Sequence, residues 1–580
     1  MSAQSLVDPL CQVGVPHEIG LHLTRQSANP YADTDVTVLI RCPDDTTMAV
    51  KAFWKGGNAW CARFAPQMVG VHSYKLYVSG GATPDIAEGE FEASPYDGDN
   101  WLYRHGPVQA SGNGRYLCHQ DGEPFFWLAD TWWYGATRRC RWPDDFQLLV
   151  RDRVDKGFTV VQIVVGIPPE VAATDPAAWN EGGPPFTERW SLINPAYFEY
   201  ADKRIKYLVD NGLVPCIVGG WGHHIEWMGI DNAIRFWEYL VARYAAYPVI
   251  WCLSGETELH AELPLGVFFD GVLRLYYAFA AALGHVALLH KGASAIRRVV
   301  CRLARTGIRK RSEDRLKARR DAWIRVGQAV AGADPARHII TTHPITGRFS
   351  HQTLDNAAWV GVTSIQSGHS EDASKSMFGQ ILQSARFDPR RPIINMEPWY
   401  ERILGRFGDD DQRYAFWMCV LAGAAGHSYG ANGLWQMSTE EDGFLGHWGV
   451  ADWSAAYRYP GSTHLGLGKQ LLSRFKWWQL QPRLECVMPH WSETTERLPV
   501  LASIGEGVLI GYFPKCAAST STVVRCLAPD RTYRAFWFDP RTGAEHPVPV
   551  EGISGVSRCW TVPPRPTLDD WVLVIERSPS

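Results

Sequence analysis

Two glutamates stand where apolar runs stop: Glu256 closes "PVIWCLSGE" and Glu397 closes "RPIINME". A buried, unpaired charge is costly, so a carboxylate at such a point either reaches solvent or serves chemistry. Two carboxyl groups facing one another suit glycoside hydrolysis, in which one protonates the leaving oxygen and the other attacks the anomeric carbon or activates water. Polar and aromatic residues follow the other apolar runs in the same way. They are Asp130, Trp132 and Trp133 in "LADTWW", Trp221, His223 and His224 in "GGWGHH", His343 after "HIITT", Gln366 and His369 in "IQSGH", and Tyr429, Asn432 and Trp435 in "GHSYGANGLW". Indoles stack on the C–H faces of sugars, and the amides, imidazoles and Asp130 can bind hydroxyls, so these residues are the candidate substrate-binding set.

Other chemistries fit less well. Histidine-rich strand ends raise metal-assisted hydrolysis, but His223 and His224 are adjacent and no H-x-H follows the first strand, so no ligand set emerges and neither metal nor other cofactor is expected. There is no Gly-rich strand–turn–helix phosphate loop and no G-x-S-x-G elbow where a serine nucleophile would need it.

The elements that must carry these residues read as eight β/α units. The strands are "PFFWLADT", "FTVVQIVV", "LVPCIVGGW", "PVIWCLSGE", "HIITTHP", "WVGVTSIQSG", "RPIINMEP" and "GHSYGANGLW", and helical patterns are interleaved with them. Val- and Ile-rich runs with little alternation suit parallel strands covered on both faces, and eight of them close into a (β/α)8 TIM barrel. In that architecture the site forms at the C-terminal ends of the strands, where every candidate above is placed. Strands four and seven lie on opposite sides of the mouth, which sets Glu256 against Glu397.

Short alternating strands flank the barrel, so the expected organisation is an N-terminal β-sandwich over 1–108, a catalytic barrel over 112–482 and a C-terminal β-sandwich over 483–580. A helical, basic insertion at about 260–320 interrupts the barrel after strand four. Within it, residues 291–320 carry 12 Lys and Arg against 2 Asp and Glu. That charge suits a solvated helix face, a clamp on an anionic glycan or a homo-oligomer contact. Asp270, Arg274 and His285 break its apolar part, which argues against a membrane span.

With 580 residues, 46% hydrophobic and 20% charged, the chain falls among multi-domain globular proteins and outside the disordered class. A net charge of −4 supplies no general attraction to nucleic acid or anionic lipid, and neither is expected as a partner. Most of the 26 Trp suit the core, and the several at strand ends also point towards carbohydrate. Thirteen Cys without a C-x-x-C pair suggest reduced thiols, and the N-terminus lacks the basic and apolar regions of a cleaved signal; together these favour the cytoplasm.

Seven stretches occurring in order, "GRYLCHQDGEPFFWLADTWW", "RDRVDKGFTVVQ", "INPAYFEYADKRIKYLVDNGLVP", "VIWCLSGE", "WVGVTSIQSGH", "RPIINMEPWYE" and "YAFWMCVLAGAAGHSYGANGLWQ", resemble the apiosidase-like barrels of glycoside hydrolase family 140 and their relatives. The likeness covers roughly residues 112–482. Relatives often carry a sandwich on either side of the barrel, the second of a collagen-binding-like type. The resemblance implies an exo-acting, retaining hydrolase with Glu256 as acid/base and Glu397 as nucleophile. It implies a terminal sugar as product, such as the pentofuranoses apiose or arabinose, released from a plant or bacterial oligosaccharide or polysaccharide. One departure stands out: the family's usual Gly-Gly-Asp after strand four is Ser254-Gly255-Glu256 here, with an acid one methylene longer. The alternative expectation is a catalytically inactive barrel that only binds glycans, which would splay the two carboxyls apart or tie them into salt bridges.

Overall fold

A computed structural model describes residues 10–24, 27–79, 88–188, 190–259, 309–492, 494–505, 507–515, 521–527, 531–549 and 559–578. Its centre is an eight-stranded parallel sheet: β1 (Trp127–Trp132), β2 (Val160–Val164), β3 (Val214–Val218), β4 (Ile250–Cys252), β5 (Ile340–Thr341), β6 (Thr363–Gln366), β7 (Ile393–Glu397) and β8 (Gly426–Tyr429). The strands are hydrogen-bonded in the order β5-β4-β3-β2-β1-β8-β7-β6, and a parallel bridge from Ile340 to Val360 joins the two ends. The result is a closed (β/α)8 barrel.

Helices cover its outside: α1 (Asp144–Asp155), α2 (Pro195–Asp210), α3 (Ile230–Tyr244), α4 (Arg309–Ala333), α5 (Ala373–Ser384), α6 (Asp409–Leu421) and α7 (Pro460–Leu472). Local chemistry sets their ends. Asp144 and Asp145 occupy the first turn of α1, where negative charge complements the helix dipole, and Gly157 follows its end with φ of 76°, in the left-handed region that glycine favours. Asn194 caps α2 by accepting the N–H of Ala196, with Pro195 at the first helical position, where no N–H is needed.

Side chains alternate across each barrel strand, and this decides which reach the site. On β1, Trp127 and Thr131 face the interior, where Thr131 accepts from Gln162 Nε2 at 2.9 Å. Asp130 and Trp132 face the helices: Asp130 accepts from Arg153 Nε of α1 at 2.6 Å and from Trp132 Nε1 at 2.7 Å.

The N-terminal region forms a five-stranded sheet (10–12, 88–94, 70–78, 36–41, 47–51) and a three-stranded sheet (17–22, 59–64, 53–56) around Ile19, Val38, Ile40, Phe64 and Phe91. Arg63 docks it on the barrel through Asp202 of α2 at 2.9 Å. The C-terminal region pairs a six-stranded sheet (480–482, 500–504, 508–513, 571–577, 533–538, 545–548) with a three-stranded one (487–488, 522–524, 560–562). Arg413 of α6 holds it by a two-pronged pair with Asp570 at 2.8 and 2.7 Å.

One expectation is corrected here. Cys486 and Cys526 form a disulfide within the C-terminal region, so the thiols are not all reduced. Scattered spacing concealed it because the partners are 40 residues apart and meet only when the sheets pack. Such bonds persist in oxidising compartments, so cysteine usage no longer argues for the cytoplasm. No helix among the described residues is long and apolar enough to cross a membrane.

Most of the basic insertion lies outside the described residues. Its final part, from Arg309, belongs to α4, and there Arg319 donates to Glu226 at 2.8 Å while Arg320 pairs with Glu258. Those two guanidinium groups tie α4 to the loops beside Glu256.

Candidate active site

Glu397 reaches the mouth because β7 breaks its own alternation. Ile365 pairs with Asn395 and the next residue of β6, Gln366, pairs with Glu397, which leaves Met396 as an extra residue. Asn395 points outward, its amide 3.6 Å from Cys419 Sγ on α6. Regular pleating would send Glu397 the same way, and the bulge turns it inward instead.

Four groups then converge on the Glu397 carboxylate. Gln366 Nε2 donates to Oε1 at 2.5 Å and the Tyr400 hydroxyl donates to Oε2 at 2.9 Å. His343 Nε2 stands 3.4 Å from Oε2 and His369 Nε2 stands 3.2 Å from Oε1. Burial opposes ionisation of Glu397, but the hydrogen bonds and charges of His343 and His369 outweigh it and hold its pKa far below the usual carboxylate range. In return, burial works against protonating His343 while Glu397 favours it, and the histidine pKa is raised.

Glu256 comes from the turn after β4, with φ of 38°, a left-handed conformation uncommon for a residue with a side chain. The turn is held from several sides. Gly255 N–H donates to the Gly220 carbonyl at 2.9 Å, His343 N–H to the Ser254 carbonyl at 2.9 Å, and Thr257 N–H to the His343 carbonyl at 3.2 Å. Gly255 is required by contact, because a Cβ there would lie 2.4 Å from the Trp221 ring. That close approach lets Trp221 Nε1 donate to Glu256 Oε2 at 3.2 Å. Burial, followed by the nearby charge of Glu397, pushes the Glu256 pKa up to about 7.

The carboxyls are linked by one donor. Gln366 Nε2, bound to Glu397 Oε1, also lies 3.3 Å from Glu256 Oε1. Those two oxygens can therefore be no further apart than the two lengths combined, which is less than the roughly 6.5–9.5 Å of inverting glycosidases.

The remaining candidates divide. Trp133 and Trp221 line the same mouth, their rings 5.4 Å apart and edge-on, and the Trp133 ring is 5.8 Å from that of His343. Trp435 is next to Tyr400 at 6.3 Å. His223 lies on the β3 loop against His224 and Trp227, with ring centroids 4.6 and 4.7 Å away.

Three candidates, Asp130, Trp132 and Tyr429, face outward, which corrects the expectation of sugar contact for them, and two more, His224 and Asn432, are engaged with protein partners. Asp130 and Trp132 face α1, as described above. Tyr429 also faces outward, donating to Glu401 Oε2 at 2.6 Å. His224 is a backbone fastener: its Nδ1 accepts the Trp221 N–H at 2.9 Å, and burial lowers its pKa to about 3, so it stays neutral. Asn432 is buried in the turn after β8, where its Oδ1 accepts from Gln436 Nε2 at 3.2 Å.

The candidates read from the sequence did not include Tyr400, Trp448 or Glu170. Tyr400 is three residues beyond Glu397, a spacing that could have marked it. Glu170 and Trp448 are joined only in space, Trp448 Nε1 donating to Glu170 Oε1 at 2.8 Å. Among the described residues no group of three or more His, Cys, Asp or Glu is arranged to hold a metal ion.

Comparison with known proteins agrees with this architecture. No curated protein sequence matches the chain significantly. A glycoside hydrolase family 5 structure from Bacteroides vulgatus superimposes with a TM-score of 0.61 at 20% identity, covering 82% of this chain and 94% of its own. A second Bacteroides vulgatus protein assigned to the glycoside hydrolases gives 0.67 at 16% identity, covering 98% of this chain and 100% of its own. At these identities the likeness is one of fold. A family model for a domain of unknown function matches residues 15–79. The model for the apiosidase-like catalytic domain matches residues 111–479, more than half the sequence, and the chain accordingly belongs to the apiosidase-like family and is a glycosidase.

Proposed function

We propose that this glycosidase is exo-acting and retaining, with Glu397 as nucleophile and Glu256 as acid/base, and that it releases a terminal pentofuranose such as apiose or arabinose from a plant or bacterial glycan. The observation that carries the reading is the opposed electrostatics of two carboxyls sharing one amide donor. Pairs whose surroundings drive their pKa values apart divide into acid and base. Glu256, pushed up to about 7, keeps a proton to give the leaving oxygen, while Glu397 is held ionised for attack.

In the first step Glu397 forms a bond to the anomeric carbon as the glycosidic C–O bond breaks, and the leaving oxygen takes the Glu256 proton. In the second, Glu256, now a carboxylate, removes a proton from water as that water displaces Glu397. The glycosyl bond is inverted twice, so configuration is retained. The pentofuranose assignment draws on the family's name, and the exo mode draws on the resemblance to the same family.

The alternative of a binding-only barrel is disfavoured by the shared donor, since carboxyls splayed far apart would not meet on Gln366. The test is a screen of aryl glycosides and purified glycans, with product stereochemistry followed by NMR. Glu256→Gln and Glu397→Gln should fold and lose turnover. Wild-type-like hydrolysis by either variant, or a product of inverted configuration, overturns the assignment.

A further inference from the structure

The loop after β8 folds back over the mouth, and a short 3-10 turn, Gly446–Trp448, lies along it. Two consecutive side chains of that turn are held by one carboxylate from the far side. Trp448 Nε1 donates to Glu170 Oε1 at 2.8 Å, and His447 Nε2 lies 2.9 Å from Glu170 Oε2. Glu170 follows β2 and has φ of 63°, a costly conformation for a residue with a side chain.

The indole held in this way is half-buried and stands among groups that serve the nucleophile. Its ring centroid is 6.2 Å from that of His369, a neighbour of Glu397, with the planes at 73°. It is 6.4 Å from that of Trp435, with the planes at 79°. Trp435 in turn packs against Tyr400, the hydroxyl donor to Glu397. Its own indole N–H is buried and has no hydrogen-bond partner in the structure. A buried donor left in this state suits an incoming hydroxyl, because pairing it recovers the cost of desolvation.

We propose that Trp448, clamped by Glu170, is a specificity-determining wall of the subsite for the departing terminal sugar, meeting Trp435 nearly at a right angle to form a corner that receives one sugar ring beside Glu397. This rests on the assignment of Glu397 as nucleophile. In a retaining displacement the nucleophile lies under the anomeric carbon and the acid lies beside the leaving oxygen. Trp448 and its ring neighbours gather on the Glu397 side, from β6, β7 and β8. Glu256 is instead flanked by Trp221 from β3. The corner therefore reads the glycone and not the leaving group. Glu170 acts through Trp448 and is a positioning residue.

The full-length chain is assayed on aryl arabinofuranosides and apiofuranosides that differ only in the phenol released. Trp448→Ala should lower kcat/KM at least tenfold, mainly through KM and by the same factor for every phenol. Trp448→Phe should recover most of the loss. Glu170→Ala should weaken binding, whereas Glu170→Gln, which keeps an acceptor oxygen for the indole N–H, should stay near wild type. A Trp448→Ala value within twofold of wild type, or a loss that grows with the pKa of the phenol, overturns the proposal.

If wild type turns over none of these compounds, the proposed reaction on pentofuranosides fails and indole emission decides the corner separately. Titration with free L-arabinose and D-apiose should then give a saturable change that disappears in Trp448→Ala. No saturable change, or one that survives in that variant, overturns it.

Discussion

Glu256 and Glu397 meet at a single nitrogen, the amide Nε2 of Gln366, 3.3 Å from one carboxylate and 2.5 Å from the other. Each carboxyl group therefore feels the charge state of its partner, and removing one changes the proton affinity of the other.

The pH dependence follows from this. As the proposed acid, Glu256 must be protonated, so kcat/KM should fall as pH rises through about 7. As the proposed nucleophile, Glu397 must be ionised, and its depressed pKa should place the acid limb well below the ordinary glutamate value of about 4.3. In Glu397→Gln the raising influence of the second charge is gone, so the Glu256 pKa should drop. Carboxyl-labelled NMR titration measures this, and an unchanged midpoint would refute the electrostatic link.

Stability should also fall as pH rises, but over a lower window than activity. A carboxyl whose folded pKa exceeds its unfolded one binds protons preferentially when folded, so its contribution declines as pH climbs from the unfolded value near 4.3 to about 7. Above pH 7 wild type carries the cost of a charged, largely enclosed Glu256. Glu256→Gln should then be the more stable by about 1–3 kcal/mol, allowing for partial exposure. The gain should vanish near pH 4, as denaturant unfolding at both pH values will show.

Gln366→Leu removes the shared donor while keeping much of the side-chain volume. A hydrogen bond to a charged group is worth about 1.5–3 kcal/mol, so kcat/KM should fall by roughly 10- to 100-fold. The loss should appear in kcat, with the melting temperature little changed.

Gly255→Ala tests the seat of Trp221. The added Cβ would stand 2.4 Å from the indole ring and push it off Glu256. Because that hydrogen bond holds the Glu256 pKa down, losing it should move the alkaline limb upward while turnover decreases. A pH–rate profile identical to wild type would show that the indole has room to yield.

Asp130→Ala should act on folding and leave sugar binding alone. It strips one of two carboxylate partners from a fully buried Arg153, which keeps Asp152, so the cost should stay below the ~3–5 kcal/mol of leaving a buried charge unpaired. The folded fraction should keep the wild-type KM. A raised KM at undiminished stability would return Asp130 to the sugar site.

How far the chain can be read along its length depends on which property is local. Where an apolar run ends is local, and it placed Glu256, His343, Gln366, His369 and Glu397 at the mouth, because strands of one barrel all deliver their C-terminal ends to one face. Helix limits are local too: Pro195 and Asn194 mark the start of α2 by their backbone chemistry. Which side of a strand a residue faces depends on pleat and register. Asp130, Trp132 and Tyr429 sit at the right height and point at the helices. The bulge at Met396 is not visible in "RPIINMEP", since it exists only relative to the pairing of β6, yet it is what turns Glu397 from α6 to the mouth.

Contacts between distant segments were likewise beyond one dimension. Cys486 finds Cys526, and Glu170 finds Trp448 across 278 residues, because packing of separate loops and sheets brings them together. The sequence alone determined the barrel, the two carboxylates and the strand ends that bear them, through hydrophobic runs and their termination. Only the tertiary structure decided which neighbours each carboxylate has, and those neighbours drive the two pKa values apart, because proton affinity in a buried site is set by burial and by charges a few ångströms away.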